Sequence, residues 1–241
     1  MERLKSTVRL IEAALARRTD VLPFDGHELR FIHSRWWNDN TPEAFAVEIE
    51  PYFAALGPKA GYTAIVDAGA AVGQFAVAAC VRWPTARVYA FEPARRQRLL
   101  LSRNARVNGF ANRIEALPVG LWNESTTLRF RTHGAMSSIA SVSMLPRHLT
   151  FAEHIEVTTL DRWAAPTRID LIKMDIEGAE IEALEGAGGL LSRDRPDVIV
   201  QAYHQRDGAR TFERCAAIVE RHGYVAREVD GQPGLLLATP A

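Results

Sequence analysis

The stretch Ile65-Val66-Asp67-Ala68-Gly69-Ala70-Ala71-Val72-Gly73-Gln74-Phe75 decides the fold. A short apolar run closes on an acid, passes two glycines four positions apart, and continues as an apolar helical segment to Cys80. Strand, glycine turn and helix start, in that order, mark the place in an open α/β sheet where a nucleotide-like ligand docks. Gly69 lets the backbone turn sharply or approach a ligand closely, and Gly73 lets the new helix pack on the strand. A dinucleotide fingerprint starting at Gly69 would place glycines at 71 and 74, where the chain has Ala71 and Gln74. The spacing suits a ligand with no pyrophosphate to cradle. Downstream, Arg87-Val88-Tyr89-Ala90-Phe91-Glu92-Pro93 reads as a second strand ending in an acid. Glu92 there is placed to accept both hydroxyls of a ribose.

Composition sets the bounds around this stretch. A chain of 241 residues accommodates one large α/β domain, or a domain with a small appendage. At 47% hydrophobic and 24% charged residues it can bury a sizeable core. Lys and Arg total 29 and so do Asp and Glu, a balance that gives no support for nucleic acid or an anionic membrane as partner. Cys80 and Cys215 are far apart and form no metal-type pair, which points to reduced thiols in a cytoplasmic protein. No apolar run reaches the roughly 18 residues of a membrane span. Arg9, Glu12, Arg17 and Arg18 interrupt what would be the apolar core of a signal peptide.

Leu4, Val8, Ile11 and Leu15 predict an amphipathic helix over 2–18, a candidate contact for the domain or for a second subunit in a homodimer. A hairpin around Asp25-Gly26 is expected within 22–32, then a polar and aromatic loop carrying Trp36, Trp37 and Asn40. Thr41-Pro42-Glu43 opens a helix to about Leu56, and Gly57-Pro58 stops it. From Ala64, strands and helices alternate: strand 65–67, helix 73–82, strand 87–91, helix 94–108, strand 113–119. Residues 126–131 and 155–160 alternate like strands, separated by a serine-rich connection over 134–153 that is long enough to be functional. Strand 169–175, helix 178–191, strand 197–203, helix 209–222 and a hairpin across Gly231–Gly234 follow.

The segment Ile169-Asp170-Leu171-Ile172-Lys173-Met174-Asp175-Ile176-Glu177-Gly178-Ala179-Glu180 narrows the reading. Together with the opening stretch, Phe91-Glu92-Pro93, Ser137-Ser138 and Thr159-Leu160-Asp161, it resembles the signature set of FkbM-type class I methyltransferases, over roughly residues 43–204. The resemblance implies a Rossmann-like fold, a mostly parallel doubly wound sheet with an antiparallel C-terminal strand. An N-terminal helix and hairpin cap (1–56) would precede the methyltransferase domain (57–241). It implies S-adenosylmethionine as cofactor and a hydroxyl of a sugar, glycan or secondary metabolite as acceptor. Asp67, Ala68, Gly69, Ala70, Gly73 and Phe75 would then lie toward the methionine part, Glu92 and Pro93 at the ribose, Gly120 by the adenine, and Asp175 near the reacting group. Two departures stand out: Ala70-Ala71 where the family usually carries an asparagine, and Gln201 where members often carry a glutamate.

Methyl transfer to an alcohol requires the acceptor oxygen to be oriented and its proton removed. Asp175, at the carboxyl end of its strand, is the leading candidate base, with Glu177 and His204 as alternatives or helpers. Asp175, Glu177 and Glu180 would repel one another unless protonated, paired or bound to a cation. A divalent cation such as magnesium on Asp175 and Glu177 is one solution; helix N-terminal acids favoured by the dipole are the other. Lys173, in a strand buried on both faces, is expected to pair with Asp175 or Glu177. His133, His148 and His154 fall in or beside the long connection, as candidate substrate contacts at most. The rival readings are an NAD-dependent oxidoreductase, which the missing glycines disfavour, and a non-catalytic binding protein on the same scaffold.

Overall fold

The computed structural model describes residues 18–33, 42–58, 61–132, 138–139 and 151–241. The helix expected over 2–18 lies outside these residues, except that Arg18 opens a strand, and so does the Trp36-Trp37 loop. Strands β1 (Arg18–Phe24) and β2 (His27–His33) pair antiparallel through Asp25-Gly26. Both turn residues have left-handed φ, 48° and 76°, as a two-residue hairpin requires. Helices α1 (Pro42–Glu48) and α2 (Glu50–Leu56) replace the single helix expected to Leu56. Pro51 has no N–H for the Val47 carbonyl and its ring crowds that carbonyl, so the helix breaks at Ile49.

Strands β3 (Ala64–Ala68), β4 (Arg87–Phe91) and β5 (Ile114–Leu117) run parallel. Helices α3 (Gln74–Arg82) and α4 (Arg95–Val107) connect them. The chain then leaves the main sheet. Strands β6 (Gly120–Leu121), β7 (Thr126–Thr132), β8 (Ser138–Ile139) and β9 (Phe151–Thr158) form a second sheet in the order β6-β9-β7-β8. A short helix α5 (Leu160–Trp163), capped by the Thr159 side chain, leads back to β10 (Leu171–Met174), which pairs parallel with β3. Helices α6 (Glu180–Glu185) and α7 (Gly188–Asp194) replace the one helix expected over 178–191. The break falls at Gly186, where a Cβ would stand 2.3 Å from the Trp122 carbonyl oxygen. Strand β11 (Asp197–Gln201) is followed by a small hairpin of β12 (Gln205–Arg206) and β13 (Ala209–Arg210), then helix α8 (Thr211–Glu220). Strands β14 (Tyr224–Glu228) and β15 (Leu235–Pro240) close the fold.

The main sheet has the order β14-β15-β11-β10-β3-β4-β5, with β15 antiparallel to both neighbours. This is the expected Rossmann-like doubly wound sheet. From β3 the chain winds to β4 and β5 on one side, and from β10 to β11 on the other. The crevice of such a sheet opens where the winding reverses, between the carboxyl ends of β3 and β10.

The hairpin and α1–α2 share their core with the sheet. Phe24, Phe31, Phe45 and Phe53 are buried in one cluster with Phe75, Cys80, Trp83, Val88 and Leu101. Phe53 stacks on Phe75 with ring centroids 5.1 Å apart, which ties α2 to the helix after the glycine loop. Among the described residues no helix is long and apolar enough to cross a membrane. A shared core predicts shared unfolding. Phe53→Ala should cost about 3–5 kcal/mol and shift one transition, with the same urea midpoint by tryptophan fluorescence and by far-UV circular dichroism. Two separate midpoints would show instead that the cap has its own core.

Candidate functional site

The site is built on the register of β3 and β10. Asp67 and Lys173 are partners in that register, and their side chains form an ion pair of 3.1 Å with both groups buried. Lys173 therefore does not pair with Asp175 or Glu177, as its sequence neighbourhood suggests; in-register pairing across two parallel strands decides its partner. Lys173 Nζ also donates to the Gly69 carbonyl at 3.2 Å and lies over the rings of Tyr52 and Phe75. Burial raises the Asp67 carboxyl above its ordinary value, and the Lys173 charge opposes that rise. Asp67 and the fully buried Ala68 line neither cavity described below, so they shape the site from beneath.

Beyond β3 the backbone turns at Gly69, φ 74°, where a Cβ would fall 1.8 Å from the Asp175 carbonyl oxygen. No side chain fits there. The amides of Gly69 and Ala70 both donate to the Phe91 carbonyl. Ala71 has φ 45°, a left-handed backbone that is uncommon outside glycine, and its N–H donates to Glu92 Oε2 at 2.9 Å. The Ala94 amide donates to Glu92 Oε1 at 2.7 Å. Burial pushes the Glu92 carboxyl up to about 7, although these two amides pull it down. Gly73 precedes α3 and packs against Leu101, away from the crevice.

Two cavities flank this loop. The larger, about 530 Å³, lies between α1–α2 and the carboxyl ends of the strands, and its walls include Tyr52, Ala70, Phe75, Lys173, Gln201 and Tyr203. The smaller crevice is walled by Phe91, Glu92, Pro93, Gly120, Leu121 and Ile176. Gly69, Ala71, Asp175 and Glu177 border both. The structure thus brings Gly69, Glu92, Pro93, Gly120, Asp175 and Glu177 around one crevice. It sets Ala70 and Phe75 on the side of the larger cavity.

Each acid after β10 has its own partner. Tyr52 donates its hydroxyl to Asp175 Oδ2 at 3.1 Å. Asp175 Oδ1 is buried and has no hydrogen-bond partner among the described residues. Burial, then the Asp175 charge and hydrogen bond, hold the Tyr52 phenol well above its ordinary value. Glu177 has φ 56°, followed by Gly178 at 99°, and its Oε2 lies 3.3 Å from His204 Nε2. His204 is buried and lines neither cavity, so it stands behind Glu177 instead of facing a ligand. Burial opposes a charge on His204, but the Glu177 hydrogen bond and the Glu180 charge outweigh it and raise the imidazole above its ordinary value.

Glu180 is fully buried and accepts the amides of Ile176 and Gly178, both at 3.1 Å. Its carboxyl is pushed up to about 7 by burial, with the His204 charge opposing. It holds the turn. Among the described residues no three His, Cys, Asp or Glu side chains converge as metal ligands. The cation on Asp175 and Glu177, one of the two solutions considered for these acids, gains no support here: Asp175, Glu177 and Glu180 turn to three different partners. His154 is exposed on β9, and His133 and His148 lie outside the described residues. Tyr52 was not visible as a site residue in the sequence. It stands 123 positions from Asp175, and its helical spacing marks only the buried face of α2.

A family model described as the methyltransferase FkbM domain matches residues 67–226. The methyltransferase sdnD of Sordaria araneosa is 25% identical over 212 residues, covering 75% of this chain and 76% of that protein. The crystal structure of methyltransferase FkbM from Methylobacillus flagellatus KT superposes with a TM-score of 0.52 at 23% identity, over 74% of this chain and 43% of that one. This chain thus spans less than half of that protein's length. The structure of precorrin-6y C5,15-methyltransferase from Geobacter metallireducens GS-15 gives a TM-score of 0.50 at 12% identity, over 84% and 89% of the two chains. These likenesses establish the class I methyltransferase fold.

The raised carboxyl of Glu92 has a consequence for stability. Its folded value of about 7 exceeds the ordinary 4.5, so the folded protein holds this proton more tightly than the unfolded chain. The associated stability is complete below about 4.5 and is lost as pH rises through 7. Urea unfolding of Glu92→Gln should show a flatter pH dependence than the wild type between pH 4.5 and 8, by up to about 3 kcal/mol. Glu180 keeps part of the slope in both proteins. Parallel curves would mean that Glu92 binds its proton equally in the folded and unfolded states.

Proposed function

The chain belongs to the FkbM family of methyltransferases, and we propose that it methylates a hydroxyl of a sugar, glycan or secondary metabolite with S-adenosylmethionine as donor. The observation that supports this reading is the meeting of two cavities at Asp175 and Glu177. On this reading the smaller crevice takes the adenosine part. Glu92 accepts the ribose hydroxyls, and Phe91, Pro93, Gly120 and Leu121 line the rest. The residues fit such a guest: Gly69 and Ala71 border the crevice, and Asp175 keeps one buried oxygen unpartnered among the described residues. When bound, the cofactor supplies an electrophilic methyl group on a sulfonium.

The larger cavity would take the acceptor, and residues 1–56 would serve as its cap over the domain 57–241. Asp175 is the base that takes the acceptor's hydroxyl proton, while Tyr52 fixes Oδ2 from the cap side. Glu177, held by His204, orients the acceptor beside the junction. General-base catalysis of this kind is worth about 10²–10⁴-fold.

Calorimetry tests the cofactor directly. S-adenosylmethionine and S-adenosylhomocysteine should bind the wild type, NAD should not, and Gly69→Ala should bind none of them. Binding of NAD alone would overturn the assignment. For the chemistry, Asp175→Asn should lower kcat by about 10²–10⁴-fold on any hydroxylated acceptor that turns over, with cofactor affinity kept within a few fold. An unchanged kcat would remove Asp175 from the role of base.

A further inference from the structure

The glycine loop has a support that lies outside both cavities. Asn104, on the inner face of α4, is fully buried. Its Nδ2 donates to the Val72 carbonyl at 2.8 Å, and its Oδ1 accepts the Ile32 amide of β2 at 2.8 Å. One amide side chain therefore joins the N-terminal hairpin to the loop. Val72 follows Ala71, whose left-handed backbone sends its N–H to Glu92. The Val72 carbonyl is thus a point, directly after that strained turn, at which α4 holds the loop.

We propose that Asn104 is a positioning residue for the cofactor loop, fixing Val72 so that Ala71 and Glu92 keep the geometry that receives the ribose. The proposal rests on the cofactor reading above. A left-handed alanine persists only where its surroundings over-determine it, because the conformation costs about 1–2 kcal/mol for a residue with a Cβ. The Gly73 amide bonds the Ala70 carbonyl from within the loop. The Phe91 carbonyl holds the Gly69 and Ala70 amides before the turn, and Asn104 holds the carbonyl just after it, from a helix that is itself docked on the hairpin. Asparagine suits this place because it offers a donor to a carbonyl and an acceptor to an amide at once. Aspartate would keep the bond from Ile32 and set a carboxylate oxygen against the Val72 carbonyl.

A neighbouring residue gives the control. Asn108, one turn on, accepts the Arg30 amide at 2.8 Å and donates to the Arg30 carbonyl at 2.7 Å, so it pins the same hairpin without touching the loop. Titration of the full chain with S-adenosylhomocysteine should show affinity about tenfold weaker for Asn104→Asp and Asn104→Ser, and within twofold of wild type for Asn108→Ala. Hydrogen exchange of the Ala71 amide should accelerate in the two Asn104 variants and not in Asn108→Ala. Should Asn104→Asp fail to fold, the serine variant carries the comparison. Equal affinity and equal Ala71 exchange in the Asn104 and Asn108 variants would overturn the assignment while leaving the cofactor reading intact. A wild type that does not bind S-adenosylhomocysteine would overturn the cofactor reading, and the assignment with it.

Discussion

The buried pair of Asp67 and Lys173 is the interaction on which the rest of the site depends. Two opposite charges stand in register on adjacent parallel strands, inside a sheet covered on both faces. A buried ion pair of this kind adds little net stability, yet leaving either charge alone is costly. Slipping β10 by one residue against β3 would strand both, so the pair specifies register more than it adds strength. The same ammonium reaches the Gly69 carbonyl and lies over Tyr52 and Phe75. One side chain thereby orders the strand pair, the glycine loop and the inner face of the cap.

Register then explains the close approach next to it. With Lys173 opposite Asp67, the chain leaves β10 at Asp175 directly over Gly69, where no Cβ could stand. Two non-glycine residues near this crossing, Ala71 and Glu177, have left-handed backbone. Residues in sparsely populated conformations cluster where function needs a particular direction of N–H or side chain, and are held there by their surroundings. Here the gains are specific: the Ala71 amide meets Glu92, and Glu177, which borders both cavities, meets His204.

Much of this was legible in the sequence because it depends on local pattern. The strand and helix alternation, the Asp25-Gly26 hairpin, the glycine turn and the acid at the end of β4 all announce themselves within a dozen residues. The breaks at Ile49 and Gly186 were less visible. Pro51 looks like a first-turn proline of either a continuing or a new helix, and Gly186 is explained only by the carbonyl of Trp122, 64 residues earlier in the chain. Partnerships across the sheet were not legible. Lys173 sits two residues from Asp175, and proximity in sequence argued for the wrong acid. Tyr52 and Asn104 carry no local signal, since a buried tyrosine and a buried helical asparagine look like core until their partners are placed.

The acids at 175, 177 and 180 show how environment separates chemically similar groups. A row of carboxylates in sequence suggests either mutual repulsion or a cation. The fold instead gives Asp175 a neutral hydroxyl donor, Glu177 an imidazole and Glu180 two backbone amides. On the proposed reading, those partners rank the three for proton transfer. Glu180 is enclosed and committed to the turn, so it cannot meet a substrate. Glu177 has its carboxylate engaged by the His204 imidazole. Asp175 alone combines contact with both cavities and a buried oxygen with no partner among the described residues. On the proposed reading, Asp175 is the acid that its neighbours leave available, which no reading of residue types alone could supply.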